Sequence, residues 1–118
     1  MTKTEVRFTV QLAIAPDKLE AFERVAQSMI AGTKKEPGAL GYDWCLNADR
    51  TQCRLVETYV DANAVSAHLT GPVVTDLVPK LLQTCSLTGF EVYGDPGAKA
   101  SEILAGLGAN VFRLWRGL

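Results

Sequence analysis

The sequence predicts one α+β domain, in which a four-stranded antiparallel sheet carries two helical segments on one face. Three observations predict it. Four segments alternate apolar and polar residues with period two; the first-to-second and third-to-fourth connections carry apolar residues at three- and four-residue steps; and a short, mostly polar stretch joins the second segment to the third. With 118 residues the chain can bury roughly two thirds of its unfolded surface and hold its own core.

Glu5 to Ile14 is rich in β-branched residues, with Val6, Phe8, Val10 and Leu12 alternating against more polar neighbours, and reads as a strand. Ala15-Pro16-Asp17 opens a helix, with Pro16 in its first turn and Asp17 complementing the positive helix end. Its apolar stripe is Leu19, Phe22, Ala26 and Met29, widened by Val25 and Ile30, and Gly32 with Lys34 and Lys35 ends it. After Pro37-Gly38, Leu40 to Leu46 reads as the second strand, with Tyr42, Trp44 and Leu46 on one face. Asn47 to Thr51 is a hairpin turn, and Cys53 to Val60 is the third strand.

Asp61 is a natural N-cap for a short helix from Ala62 to Leu69, stopped by Gly71-Pro72. The stripe from Val73 to Leu82 has helical spacing but contains Pro79, which predicts a broken or kinked segment. Ser86 to Tyr93 is the fourth strand. This β-α-β-β-α-β order, with right-handed crossovers, gives a ferredoxin-like sheet. Beyond it, Asp95-Pro96-Gly97 caps a further helical stripe (Ala100, Ile103, Leu104, Leu107), and Val111 to Arg116 ends the chain in apolar and aromatic residues. Residues 1–94 are therefore read as the domain and 95–118 as an extension that packs on the body or on a partner subunit.

Composition excludes several roles. The net charge is −1, from 12 basic and 13 acidic residues without long single-sign runs, so no face for a phosphate backbone is expected. No signal-peptide core and no membrane span is read, which points to the cytoplasm, with neither nucleic acid nor membrane as partner. Cys45, Cys53 and Cys85 lack the paired spacing of zinc ligands, and no metal site is expected. Cys45 and Cys53 flank the hairpin turn and could face each other, but reduced structural cysteines are the reading preferred.

Helices on one side leave the other sheet face bare. Leu55 and Tyr59 stand against Val56 and Val60, and Tyr42, Trp44 and Leu46 against Cys45, so both faces are read as partly dry. Burying ~600 Å² of apolar sheet per subunit would contribute on the order of 15 kcal/mol before association costs. A homodimer follows as the expectation.

The segment Glu36-Pro37-Gly38-Ala39-Leu40-Gly41-Tyr42, then Glu57-Thr58-Tyr59-Val60-Asp61, then Ala64 and Ala67-His68-Leu69, resembles the antibiotic biosynthesis monooxygenase (ABM) family over about residues 5 to 94. Val92 to Pro96 looks like a subgroup with an extended tail. The resemblance implies a dimeric α+β barrel with a pocket between sheet and helices in each subunit. Members include oxygenases of phenolic or quinol-like substrates that use neither metal nor flavin; others degrade haem, isomerise a sugar-derived signalling molecule, or have no known role, so the fold does not fix the reaction. Haem degraders carry an Asn in strand one, a Trp late in strand three and a second His after the short helix. Here strand one has no Asn, Tyr59 stands at the Trp position, and Val74 to Leu77 holds no histidine, which puts haem ligation in doubt.

The candidate catalytic residues are His68 and Glu57. His68 is the only histidine and lies at the border of its helix's apolar face; it either accepts a substrate proton or serves packing alone. Glu57 sits between Leu55 and Tyr59, where a lone carboxylate is costly, so a partner such as His68 or an arginine is implied; it is a base or a structural tie. Trp44, Tyr59, Tyr42 and Phe8 are candidates for an aromatic substrate pocket or are plain core. The expected activity is a cofactor-independent monooxygenase of a small aromatic, quinol-like or enolisable molecule, with a non-catalytic small-molecule-binding dimer or an isomerase as alternatives.

Overall fold

A computed structural model describes residues 3–118. Strand β1 (Val6–Ile14) is central, with β3 (Gln52–Tyr59) on one side and β4 (Cys85–Tyr93) on the other, both antiparallel. β2 (Ala39–Leu46) forms a hairpin with β3 and lies at the edge. These four strands take the predicted ferredoxin-like order. A fifth strand, β5 (Asn110–Phe112), comes from the extension and pairs parallel to β4, giving the sheet order β2-β3-β1-β4-β5. Three residues are too few to announce themselves by alternation, so this strand was not legible in the sequence.

Helix α1 runs over Leu19–Thr33. Pro16 and Asp17 precede it rather than open it: Asp17 sits at φ 64, a left-handed turn that a right-handed helix cannot include. Helix α2 (Ala62–Thr70) starts where expected, with Asp61 accepting a hydrogen bond from the Ala64 N–H at 2.9 Å. The Val73-to-Leu82 stripe is continuous but unevenly wound. A π-helical turn, Val73–Leu77, leads into the short α3 (Val78–Leu81), because Pro79 has no N–H to offer the preceding turn. Helix α4 (Ala98–Gly106) packs on α2 with Ala100 and Leu104 fully buried, and Tyr93 stacks on Phe112 at 5.7 Å. From Arg113 onward the apolar side chains face outward, with Trp115 85% exposed.

The core lies between the sheet and the helices. Val6, Phe8, Val10 and Leu12 of β1, with Cys53, Leu55 and Tyr59 of β3 and Phe90 and Val92 of β4, point into it and are buried. The bare face is mixed. It presents half-buried Val56, Thr9, Gln11 and Thr58 beside exposed Arg7, Arg54, Asp43 and Cys45, so the apolar load falls more heavily on the helical side than the residue pattern suggested. Alternation also separates the hairpin cysteines. Cys45 pairs with Arg54 and Cys53 with Leu46, so one thiol is exposed, the other is in the core, and all three cysteines are free. Among the described residues no helix is long and apolar enough to cross a membrane, and no cluster suited to a metal ion occurs.

Candidate active site

A cavity of about 600 Å³, counted out to its open mouth, lies between sheet and helices. Phe8, Val10 and Leu12 of β1 line it from the sheet; Val74, Val78 and Leu81 line it from the helical side; Phe90 and Leu107 complete the wall. Three lining residues carry polar groups: Tyr42, Glu57 and His68. They form one corner. Tyr42 lies directly across the β2–β3 ladder from Glu57, and its ring centroid is 5.7 Å from that of His68.

Strand alternation puts the Glu57 carboxylate here. Leu55, Glu57 and Tyr59 share the inward face of β3, so a charge pattern that would suit an exposed face is carried into the core, where Glu57 is 4% exposed. Tyr59 donates its hydroxyl proton to Glu57 Oε1, and His68 Nε2 lies 3.5 Å from the same oxygen. His68, 3% exposed on α2, has its other ring nitrogen, Nδ1, 2.8 Å from Glu36 Oε1.

Burial is the largest influence on the acid–base chemistry here. It pushes the Glu57 carboxyl above the usual carboxylate range, against the opposing pull of His68 and the Tyr59 hydrogen bond. Burial, then the negative charge of Glu57, pushes both the Tyr42 and the Tyr59 phenols far upward. The two phenols therefore stay protonated and act as hydrogen-bond donors. Glu57 and His68 are left as the groups able to take and return a proton at this corner.

Of the sequence candidates, Phe8, Tyr42, Glu57 and His68 meet at the cavity. Tyr59 stands one layer back, its ring 5.3 Å from Phe8 and 5.1 Å from His68, and reaches the site through Glu57. Trp44 lies beyond Tyr42, edge-on to it at 5.9 Å and to Phe22 at 5.8 Å, with its indole nitrogen buried and unpartnered; it packs β2 on α1 and does not line the cavity. Glu36 joins the site without having been a candidate from the sequence. Its signal was the turn it shares with Pro37 and Gly38, because a β-carbon on Gly38 would lie 2.4 Å from that of Ala64. The missing side chain lets this turn press against α2 one helical turn before His68.

Comparison with solved structures places this architecture. MupZ from Pseudomonas fluorescens superposes with a TM-score of 0.84 at 27% identity, covering 98% of this chain and 93% of that one. The match therefore takes in nearly all of the C-terminal extension. Rv0793 from Mycobacterium tuberculosis (TM-score 0.69, 22% identity) covers 80% of this chain and 98% of its own. A structure described as an antibiotic biosynthesis monooxygenase (TM-score 0.65, 20% identity) covers 74% of this chain and 92% of its own, and like Rv0793 it shows the shared fold. No curated protein matches the chain. The family model described as antibiotic biosynthesis monooxygenase matches residues 6–80, which hold β1 through most of α3 and every polar residue of the cavity corner, and the chain belongs to that family.

Proposed function

We propose that this protein is a cofactor-independent monooxygenase of a flat, largely apolar molecule bearing an acidic C–H or O–H group. The reading is carried by one observation: a buried Glu57–His68 pair forms the polar corner of an otherwise apolar cavity. Such a cavity binds by apolar burial and offers the substrate's acidic position a base where little water competes. A carboxyl group with a raised proton affinity is a stronger base, once ionised, than an exposed one. Tyr42, as a donor beside Glu57, suits the oxygen of an enolate or phenolate.

In the proposed reaction the base removes a proton from a substrate CH₂ activated by a neighbouring ring carbonyl. The carbanion passes its electrons to O₂ and forms a carbon–oxygen bond, giving a peroxide. Protonation of the outer oxygen, then removal of the remaining C–H proton by the base with cleavage of the O–O bond, releases water and leaves a carbonyl, so CH₂ and O₂ become C=O and H₂O with no external electrons. The test is oxygen uptake across a panel of quinols and anthrones under ¹⁸O₂, for the wild type, Glu57→Gln and His68→Ala. One labelled oxygen atom per product is expected, with kcat/KM falling about 10²-fold or more in either variant. Rates untouched by both substitutions would sink the assignment, and equal conversion under nitrogen would replace oxygenation by isomerisation.

We also propose that the working form is a homodimer, with a second copy on the bare sheet face. Support comes from half-buried Val56 among the half-buried polar residues there and from the open edge of β2. Sedimentation of the full chain at micromolar concentration tests this, and a stable monomer would overturn it.

A further inference from the structure

The cavity corner has an outlet. Glu57, His68 and Glu36 stand in line, the side chains of the first two 6% and 3% exposed and that of Glu36 21% exposed. Glu36 lies in the turn between α1 and β2, where its N–H donates to the Thr33 carbonyl at 2.9 Å and its carbonyl accepts from Ala39 at 3.2 Å. The turn is held at two points: Gly38 lies against Ala64 of α2, and the Gly38 carbonyl accepts the N–H of Val60, just after β3, at 2.9 Å. Ala64 and His68 are four residues apart on one helix face, so a turn laid on Ala64 delivers the Glu36 carboxylate to His68. Its reach to a histidine nitrogen is therefore built by the backbone.

We propose that Glu36 is a positioning residue that holds the His68 ring with its proton on Nδ1 and forms the outer end of a proton path from the cavity to solvent. A carboxylate oxygen accepts and cannot donate, so at 2.8 Å the Nδ1 atom carries the hydrogen, and in the neutral ring the Nε2 lone pair then faces Glu57. A proton taken from substrate by Glu57 can then pass to Nε2 while the Nδ1 proton moves to Glu36 and on to water. Each transfer breaks one O–H or N–H bond and forms the next, and a ring flip or return transfer resets the histidine. The groups facing His68 are Glu36 from the turn, Tyr42 from β2, and Glu57 and Tyr59 from β3. Both phenols are held protonated, so the path runs through the two carboxylates.

This rests on the reading of Glu57 and His68 as proton carriers, but its test needs no substrate and therefore fails or succeeds apart from the oxygenase assignment. The chain has a single histidine, so ¹⁵N-histidine labelling gives a spectrum of His68 alone. In the wild type at pH 7 to 8 the proton should reside on Nδ1, and Glu36→Ala should move it toward Nε2. Glu36→Gln keeps an accepting oxygen and should hold the proton on Nδ1, yet exchange it with water at least about 10-fold more slowly; Glu36→Asp should restore fast exchange. A wild-type ring protonated on Nε2, or on both nitrogens throughout that range, overturns the proposal even if Glu36→Ala fails to fold. Unchanged exchange in Glu36→Gln overturns the path.

Discussion

Replacing Glu57 by glutamine isolates the energetics of the buried carboxyl. Gln has nearly the same volume, keeps an oxygen for the Tyr59 hydroxyl, and does not titrate. In the unfolded chain the Glu57 carboxyl returns to its ordinary value near 4.5, whereas in the folded protein burial raises it. The native state then holds the proton more tightly than the unfolded state. This contribution to stability is complete below the unfolded value and is lost as pH rises toward the folded value. One proton gives a slope of at most about 1.4 kcal/mol per pH unit. Urea denaturation of the wild type and Glu57→Gln at intervals from pH 4.5 to 8 reads it directly. The variant should gain stability relative to the wild type as pH rises, with no steeper slope than that limit. A difference that is flat, or that moves in favour of the wild type, would mean that His68 and Tyr59 outweigh burial, and the account of the corner would be wrong.

Further outcomes follow from single contacts. Gly38→Ala places a β-carbon 2.4 Å from that of Ala64, and the forced separation should cost about 1–3 kcal/mol in a denaturation measurement. Phe8→Ala empties a buried ring that packs on Tyr59 and Phe90 and should cost about 3–5 kcal/mol. Thiol labelling of the native protein at pH 8 should modify Cys45 alone, because Cys53 is buried, with its thiol pushed up to about 11 by burial, and Cys85 is buried and shifted upward as well. Mass spectrometry counts the adducts, and fast modification of two or three thiols would contradict the packing.

Much of the fold was legible because its elements follow single rules. Period two places Val6, Phe8, Val10 and Leu12 inward, and Asp61 caps α2 as its side chain dictates. The start of α1 differs from the expectation because Pro16 fits a first helical turn or the turn before it equally well, and only the left-handed Asp17 decides. At the site, His68 and Glu57 were readable as a histidine at a helix-face border and a carboxylate among inward residues. Trp44 was not separable from Tyr42 on one strand face, since which of the two reaches the cavity depends on the positions of α1 and α2. The contact of Glu36 with His68 was unreadable for the same reason. Its partner lies 32 residues away, and the glycine that brings the two together reveals its purpose only against Ala64.

The most direct test of the cavity corner as the reactive centre is a crystal structure with anthraquinone, a flat ketone that cannot be oxidised further. Its rings should lie against Phe8 and the α3 side of the cavity, with a carbonyl oxygen within hydrogen-bonding reach of Glu57, His68 or Tyr42. Anthraquinone bound on the open sheet face, or lying in the cavity with its oxygens turned away from that corner, would contradict it.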